Sequence, residues 1–183
     1  MNLIIDIGNT SVKAALVSSG VIISQERFSN ADPELLGMFT GRRRIAGAIV
    51  SSVGTDPSVL LAWLNTRAGR VHNLTARSKY PFVIDYDTPE TLGTDRLAAA
   101  AGAVHHHPGA DLLVIDAGSA LTIDQVTGAT YRGGSISPGL SMRFRALHEF
   151  TGRLPLVTKR SGYTFPGKTT EDAIAGGVIT GLA

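Results

Sequence analysis

Apolar and polar residues alternate over the first part of the chain, and small polar residues interrupt the alternation twice. This pattern predicts three antiparallel strands joined by tight turns, at residues 2–7, 11–18 and 20–28. A short helix is then expected from Pro33, with Asp32 as its N-cap, because proline suits the first helical position and aspartate accepts from free backbone N–H groups. Residues 45–52 form an apolar run that ends in a polar turn, which predicts a buried strand.

The middle of the chain is predicted to hold two helices and short extended segments. Helical spacing over residues 57–68 places four apolar residues on one face: Val59, Leu60, Trp63 and Leu64. A short strand is expected at residues 70–74, and residues 81–89 are expected to be extended or irregular. Residues 90–107 are predicted to form one long, alanine-rich helix that carries a Gly-Thr-Asp-Arg sequence in its opening.

The opening hairpin pattern occurs twice. Asp6 and Asp116, 110 positions apart, each follow β-favouring apolar residues and precede a small apolar residue, a glycine and a polar turn. The glycine lets backbone N–H groups approach an anion closely, and the carboxylate can position a hydrated cation beside it. A single copy would be an ordinary surface hairpin, but two copies in register indicate a cleft closed from both sides around a nucleotide.

The repeat also predicts the organisation of the chain. Strands resume at residue 112 and continue to residue 139, and helices follow near residues 141–150 and 170–182. We therefore predict an α/β fold with two similar units, residues 1–108 and 109–183, each a mixed sheet flanked by helices. The second unit is the shorter one, so we expect it to be truncated at its C-terminus or completed by a partner.

Composition and charge narrow the function classes. The chain has 183 residues, 43% of them hydrophobic and 17% charged, a net charge of +2 and no cysteine. These values exclude disulfide scaffolds and thiolate metal sites and favour a globular protein. Residues 42–44, the one dense basic run, are expected to form a solvated loop rather than to bind nucleic acid. With no membrane-spanning run in the sequence, we expect a cytoplasmic protein by elimination.

Two further motifs are better explained by structure than by chemistry. Residues 162–169 fit the P-loop pattern G-x-x-x-x-G-K-[ST], but residues 159–161 before them are polar, where a P-loop needs a buried strand. We expect a polar loop before a helix there. His105, His106 and His107 are consecutive, so on a helix they point in different directions and are expected to end it rather than to share a metal ion.

Several short motifs, in one order along nearly the whole chain, together resemble the type III pantothenate kinases of the acetate and sugar kinase, heat-shock chaperone and actin superfamily. The resemblance implies duplicated actin-like ATPase (ribonuclease H-like) domains. The matching stretches are Asp6-Ile7-Gly8-Asn9-Thr10, Tyr86-Asp87-Thr88-Pro89, Leu92-Gly93-Thr94-Asp95-Arg96, Asp116-Ala117-Gly118-Ser119-Ala120-Leu121-Thr122-Ile123-Asp124, Gly133-Gly134-Ser135-Ile136-Ser137-Pro138-Gly139 and Thr170-Glu171-Asp172-Ala173-Ile174.

The resemblance also implies the roles of individual residues. Asp95 is the expected general base for the attacking hydroxyl, although an aspartate at a helix start is often only a cap. The expected ATP-binding residues are Asp6, Gly8, Asn9, Thr10, Lys13 and Ser119, of which Ser119 stands where the family usually has threonine. The expected pantothenate-binding residues are Tyr86, Gly93, Thr94, Asp95, Arg96 and Thr170, with Arg96 suited to the substrate carboxylate and Thr170 reaching across a dimer interface.

The family resemblance further implies the cofactors and partners. We expect ATP with magnesium, a potassium or ammonium ion bound by Asp116, pantothenate as substrate, and a homodimer. The implied reaction is the ATP-dependent phosphorylation of pantothenate to 4'-phosphopantothenate, which begins coenzyme A biosynthesis. Two alternatives remain open at this point: a kinase of the same superfamily for another small hydroxy acid, and a catalytically inactive accessory or regulatory homologue.

Overall fold

A computed structural model of the chain describes residues 1–159 and 162–182 and contains two mixed β-sheets. The first sheet has the strand order β3-β2-β1-β4-β5, with antiparallel pairing among the first three strands and parallel pairing of β1 with β4 and of β4 with β5. Its strands are β1 (Asn2–Ile7), β2 (Val12–Ser18), β3 (Val21–Phe28), β4 (Gly47–Ser52) and β5 (Val71–Asn73).

Two helices cover the first sheet, α1 (Pro33–Thr40) and α2 (Ser58–Asn65). The predicted cap of α1 is confirmed, because the Asp32 carboxylate accepts a hydrogen bond from the Glu34 N–H at 2.7 Å. The prediction for α2 was wrong at Val59, whose side chain is 73% exposed. Leu60 and Leu64, one turn apart, suffice to bury the inner stripe of this short helix, and Val59 lies outside that stripe.

The second sheet has the order β6-β9-β8-β7. Its three long strands form antiparallel hairpins as predicted, and β6 joins β9 in parallel. Its strands are β6 (Val83–Ile84), β7 (Leu112–Ala117), β8 (Ala120–Thr127) and β9 (Thr130–Pro138). The three long strands thus repeat the β1-β2-β3 arrangement, whereas the division at residue 108 and the duplication of whole domains stay predictions.

Helix α3 (Thr94–His106) lies between the two sheets and packs against β4, β7 and β8. The prediction of one helix from residue 90 was wrong, because residues 89–91 form a separate 3-10 turn and Gly93 separates that turn from α3. Extended backbone at Leu92 and Gly93 breaks the hydrogen-bonding pattern that a continuous helix would need. A second hydrophobic core forms here from α3 and the second sheet.

The last described segments are α4 (Leu140–Glu149) and α5 (Thr170–Thr180), which pack together around a third small core. Thr169 caps α5, since its hydroxyl accepts from the Asp172 N–H at 3.1 Å. Residues 162–169, the P-loop match, contain neither helix nor strand, as predicted for a polar loop; residues 160 and 161 before them lie outside the described residues. Within residues 1–159 and 162–182, no helix is both long and apolar enough to cross a membrane.

Candidate active site

The two repeated hairpin turns meet at one point. The Thr10 Oγ1 atom of the β1–β2 turn lies 2.7 Å from the Ser119 Oγ atom of the β7–β8 turn, which is hydrogen-bonding distance. Each turn is closed by a bond from its glycine: the Gly8 N–H donates to the Ser11 carbonyl three residues on, at 3.1 Å, and the Gly118 N–H donates to the Ala120 carbonyl two residues on, at 2.9 Å. The tips of the two turns thus bring residues 109 positions apart into contact.

Asp6 stands at the end of β1, beside this contact. It pairs in register with Lys13 of β2, and the Lys13 Nζ atom lies 4.0 Å from Asp6 Oδ2. Burial raises the pKa of Asp6, whereas Lys13 and a hydrogen bond from Ser51 act in the opposite direction. The negative charges of Asp95 and Asp116 add to the increase in this pKa. The three predicted acidic residues are therefore close enough to interact electrostatically.

Asp95 lies in the first turn of α3, and its position depends on its neighbours along the chain. Its Oδ1 atom accepts a hydrogen bond from the Arg96 N–H at 2.8 Å. A Cβ at Gly93 would run into that same oxygen, so the Asp95 carboxylate would have to turn away from its present position if Gly93 were replaced. Thr94 is buried and its Oγ1 lies 3.1 Å from the Ser51 Oγ of β4, which ties the start of α3 to the first sheet.

Arg96 is a buried charged residue near the site, with 6% of its side chain exposed. Its Nε atom donates to both carboxylate oxygens of Asp124, at 3.1 and 3.2 Å, and its Nη2 atom donates to Oδ1 at 2.5 Å. The Tyr131 hydroxyl donates to Asp124 Oδ1 at 2.6 Å. The hydrogen bonds to Asp124 are the main cause of a raised pKa for Arg96, against the effect of burial, so this guanidinium is a permanent cation.

Tyr86 completes this group. A hydrogen bond between Tyr86 and Arg96 contributes to the raised pKa of Arg96. The Tyr86 ring lies over Gly133, whose φ is +86° and whose added Cβ would lie 3.1 Å from two ring carbons. Glycine at this position thus allows both the left-handed backbone and the close approach of the ring.

Comparison with known proteins identifies the family. A family model described as type III pantothenate kinase matches residues 2–183. The chain belongs to the type III pantothenate kinase family. Relatives named type III pantothenate kinase include one from Bacteroides fragilis (strain YCH46), 44% identical over the whole chain and 75% of the relative, and one from Phocaeicola vulgatus, 40% identical over the whole chain and 76% of the relative.

Solved structures support the fold. A protein from Campylobacter jejuni described as a conserved Baf family transcriptional activator has a TM-score of 0.61 at 23% identity, over 98% of this chain and 75% of that one. A protein from Sinorhizobium meliloti described as a 2-dehydro-3-deoxygalactonokinase has a TM-score of 0.52 at 13% identity, over 82% and 58%. The α/β architecture predicted from the pantothenate kinase resemblance is thus shared with sugar kinases.

Most of the residues expected from pantothenate kinases lie together. The hairpin residues Asp6, Thr10, Lys13 and Ser119 surround the contact between the turns, and Asp116 interacts electrostatically with Asp6. Thr170 is the exception: it begins α5, is exposed, and has no hydrogen bond to these residues in the described part of the chain. His105, His106 and His107 end α3 as predicted, and the described residues contain no cluster of three or more His, Asp or Glu side chains arranged as a metal site.

Asp124 was missed by the sequence reasoning as a site residue, although it lies within one of the matching motifs. It is 1% exposed and stands in β8 at a position where alternate residues face α3. A carboxylate at a buried position of a strand is costly unless it is paired with a positive charge or hydrogen-bond donors. The sequence feature that could have indicated the role of Asp124 was therefore an aspartate at a position where the strand alternation predicts burial. Its partner lies 28 residues away on another element, so the signal indicated a buried ion pair without identifying Arg96.

Proposed function

We propose that the protein transfers the γ-phosphoryl group of ATP to the primary hydroxyl of pantothenate, the reaction that begins coenzyme A biosynthesis. Membership of the family over residues 2–183 supports the reaction. The observations that carry the geometry are the contact between the two hairpin turns through Thr10 and Ser119 and the electrostatic interaction of Asp6 with both Asp95 and Asp116. Phosphoryl transfer requires mainly positioning and charge neutralisation, which such a cleft provides.

The first hairpin would hold the ATP phosphates. The turn of Gly8, Asn9 and Thr10 presents N–H and hydroxyl donors, and the half-exposed Lys13 adds a positive charge within 4.0 Å of Asp6. Ser119 faces the same space from the second hairpin, because its hydroxyl reaches that of Thr10. Serine keeps the hydroxyl of the usual threonine and loses its methyl group, so hydrogen bonding is retained with freer rotation about χ1.

Asp95 would act as the general base. As the substrate hydroxyl oxygen forms a bond to the γ-phosphorus, its proton passes to the Asp95 carboxylate and the bond from the γ-phosphorus to the bridging oxygen breaks, releasing ADP. The Arg96 N–H already holds Asp95 Oδ1 at 2.8 Å. That bond fixes one oxygen of the carboxylate and leaves the other for the hydroxyl proton.

The neighbouring residues would orient pantothenate. Arg96 uses its Nε–Nη2 edge for Asp124, so a substrate carboxylate would meet the outer edge that includes Nη1. Gly93 and Thr94 would border the substrate from the start of α3, where Thr94 is held by Ser51. Buried, preorganised partners of this kind reduce the entropy lost on binding.

The site also fits the proposed ions. Mg²⁺ is commonly bound by one or two carboxylates together with substrate phosphates, and Asp6 supplies such a carboxylate next to hydroxyl donors. When bound, it neutralises charge on the β- and γ-phosphates. Asp116, exposed at the end of β7, is proposed to bind potassium or ammonium from the opposite hairpin.

We also propose a homodimer, in which Thr170 of one subunit reaches the pantothenate site of the other. Thr170 is exposed at the start of α5, a position available to a second subunit. Sedimentation analysis of the purified protein would test the dimer. Mixing Asp95→Asn subunits with Thr170→Val subunits would test the shared site, since mixed dimers should regain activity in one of their two sites.

The reaction is tested by coupled ADP release with pantothenate, with and without potassium, for wild type and Asp95→Asn. Removing a general base should reduce kcat by about 10²- to 10⁴-fold. Glu26→Gln, an exposed carboxylate-to-amide change on the edge strand β3, is the matched control and should behave as wild type. A full-length, folded wild-type protein that does not turn over pantothenate would refute the proposal, and turnover of another hydroxy acid instead would favour the broader superfamily. Full activity without a monovalent cation would refute the role of Asp116.

A further inference from the structure

A buried polar network joins the first turn of α3 to the second sheet. Arg96, Asp124 and Tyr131 have exposed fractions of 6%, 1% and 0%. Arg96 donates to Asp124 through two nitrogens, and Tyr131 donates to the same carboxylate at 2.6 Å. Burial, and then the hydrogen bond to Asp124, raise the pKa of Tyr131, so its hydroxyl remains a donor at neutral pH.

The network lies between two parts of the proposed site. On the α3 side, Arg96 follows Asp95 directly, and its N–H binds the Asp95 carboxylate. On the sheet side, Thr122 and Asp124 lie on the same face of β8, and Thr122 is the cross-strand partner of Asp116. One charged contact therefore connects the proposed base to the strand pair that carries the proposed cation ligand.

The shape of the contact restricts movement. A guanidinium that binds a carboxylate through both Nε and Nη2 is fixed in distance and in plane, which a single hydrogen bond does not achieve. Tyr131 restrains the carboxylate from the other side. Gly134, opposite Asp124 in the ladder, leaves space for it, since a Cβ there would lie 2.8 Å from Asp124 Oδ1.

We propose that Asp124, supported by Tyr131, is a positioning residue that holds Asp95 in place against the second hairpin by fixing Arg96. The inference rests on the proposed phosphoryl transfer. Asp124 does not touch the reacting atoms; it acts through Arg96 and the backbone of the first turn of α3. Loss of the Asp124 charge leaves Arg96 without its buried partner, so the first turn loses its anchor and Asp95 is no longer held in its productive position.

The test combines kinetics with hydrogen exchange on Asp124→Asn and Tyr131→Phe, well below their unfolding temperatures. We expect Asp124→Asn to lower kcat by about 10- to 100-fold with KM for ATP changed by less than about threefold, since misplaced groups reduce the rate of chemistry. KM for pantothenate should rise as well, because Arg96 is also the proposed partner of the substrate carboxylate. Tyr131→Phe should act in the same direction and more weakly. Glu149→Gln, which breaks the exposed Arg145–Glu149 pair at 2.7 Å, is the matched control and should leave kcat unchanged.

Combination with Asp95→Asn separates positioning from general stabilisation. If Asp124 acts through Asp95, Asp124→Asn should reduce the residual rate of Asp95→Asn by less than about threefold. Equal losses in both backgrounds would overturn the proposal. So would an unchanged kcat accompanied only by a lower Tm, or a higher KM for pantothenate at constant kcat, which would assign Asp124 to substrate binding.

Hydrogen exchange tests the anchor independently of activity. Amides of residues 96–98 should exchange at least about tenfold faster in Asp124→Asn and Tyr131→Phe than in wild type, while the rest of α3 changes less. Unchanged exchange in this turn would overturn the proposal even if the kinase assignment holds. Faster exchange in a protein that does not phosphorylate pantothenate would support the anchor and refute the proposed function, so the two failures are distinguishable.

Discussion

The stability of the protein should depend strongly on the charge balance of the Arg96–Asp124 pair. Replacing Asp124 by Asn leaves a cation buried at 6% exposure without its counter-charge. Removing one partner of a buried pair costs about 3–5 kcal/mol. In a domain of this size each kcal/mol lowers Tm by about 2–4 °C, so Asp124→Asn should unfold about 6–20 °C below wild type.

The triple variant Arg96→Met, Asp124→Leu and Tyr131→Phe separates charge imbalance from lost packing. It removes both charges and also the Tyr131 hydroxyl, which would otherwise lose its acceptor. Replacing a buried ion pair by apolar groups often leaves protein stability unchanged or increases it. We therefore expect its Tm to return most of the way to wild type while activity stays low.

Thermal unfolding followed by circular dichroism at pH 7 measures these differences. Glu149→Gln is again the control, because its partner Arg145 is 67% exposed and an exposed pair contributes only about 0–1 kcal/mol. A loss below about 1 kcal/mol for Asp124→Asn would refute the reasoning, as would a triple variant less stable than the single one.

Three further changes should have distinct outcomes. Asp6→Asn should abolish activity yet raise Tm at neutral pH, because burial raises the pKa of Asp6 and the charged form opposes folding. The gain should vanish as pH falls through the folded-state pKa towards the ordinary pKa of an aspartate. Gly134→Ala should destabilise the protein by about 1–3 kcal/mol or more, because its Cβ would overlap the Ile123 backbone oxygen. Thr10→Val should raise KM for ATP and leave Tm nearly unchanged, because the Thr10–Ser119 contact is exposed.

For each of the three changes one outcome would contradict the expectation, and two of the changes have a control variant. For Asp6→Asn, thermal unfolding across pH decides, and an equal Tm gain at every pH would be inconsistent with a titrating carboxylate. Gly102→Ala is the control for Gly134→Ala, since its Cβ meets nothing within 4 Å and alanine should stabilise the helix by about 0.5–1 kcal/mol. For Thr10→Val, steady-state kinetics decide. Thr10→Ser keeps the hydroxyl and loses the methyl group, so it should retain the wild-type KM. A raised KM in Thr10→Ser together with a wild-type KM in Thr10→Val would assign the effect to the methyl group and contradict the role of the hydroxyl.

Local patterns predicted the hairpins well. The strands around Asp6 and Asp116 follow from alternation and from turns that need glycine, both of which depend on a few consecutive residues. The cap of α1 by Asp32 is equally local. The start of α3 was placed too early because alanine-rich composition outweighed the break at Gly93.

Long-range contacts were harder to predict. Arg96 was expected to bind the substrate carboxylate, and no pairing with Asp124 was predicted. That pairing depends on how α3 packs against β8. No local pattern indicates which of several buried positions receives a guanidinium. The addition of β6 to β9 is of the same kind, since two residues carry too little periodicity to specify a partner strand.

The position of α3 between the sheets has a mechanical consequence. Because α3 packs against β4 on one side and against β7 and β8 on the other, it would be the hinge axis for a rotation of one sheet relative to the other. Residues on a hinge axis move least, and Asp95 lies at the N-terminal end of α3. The hydroxyls of Thr10 and Ser119, at the tips of the turns, would swing through the widest arc. Such a motion would open the proposed nucleotide cleft at its rim and displace the proposed base least.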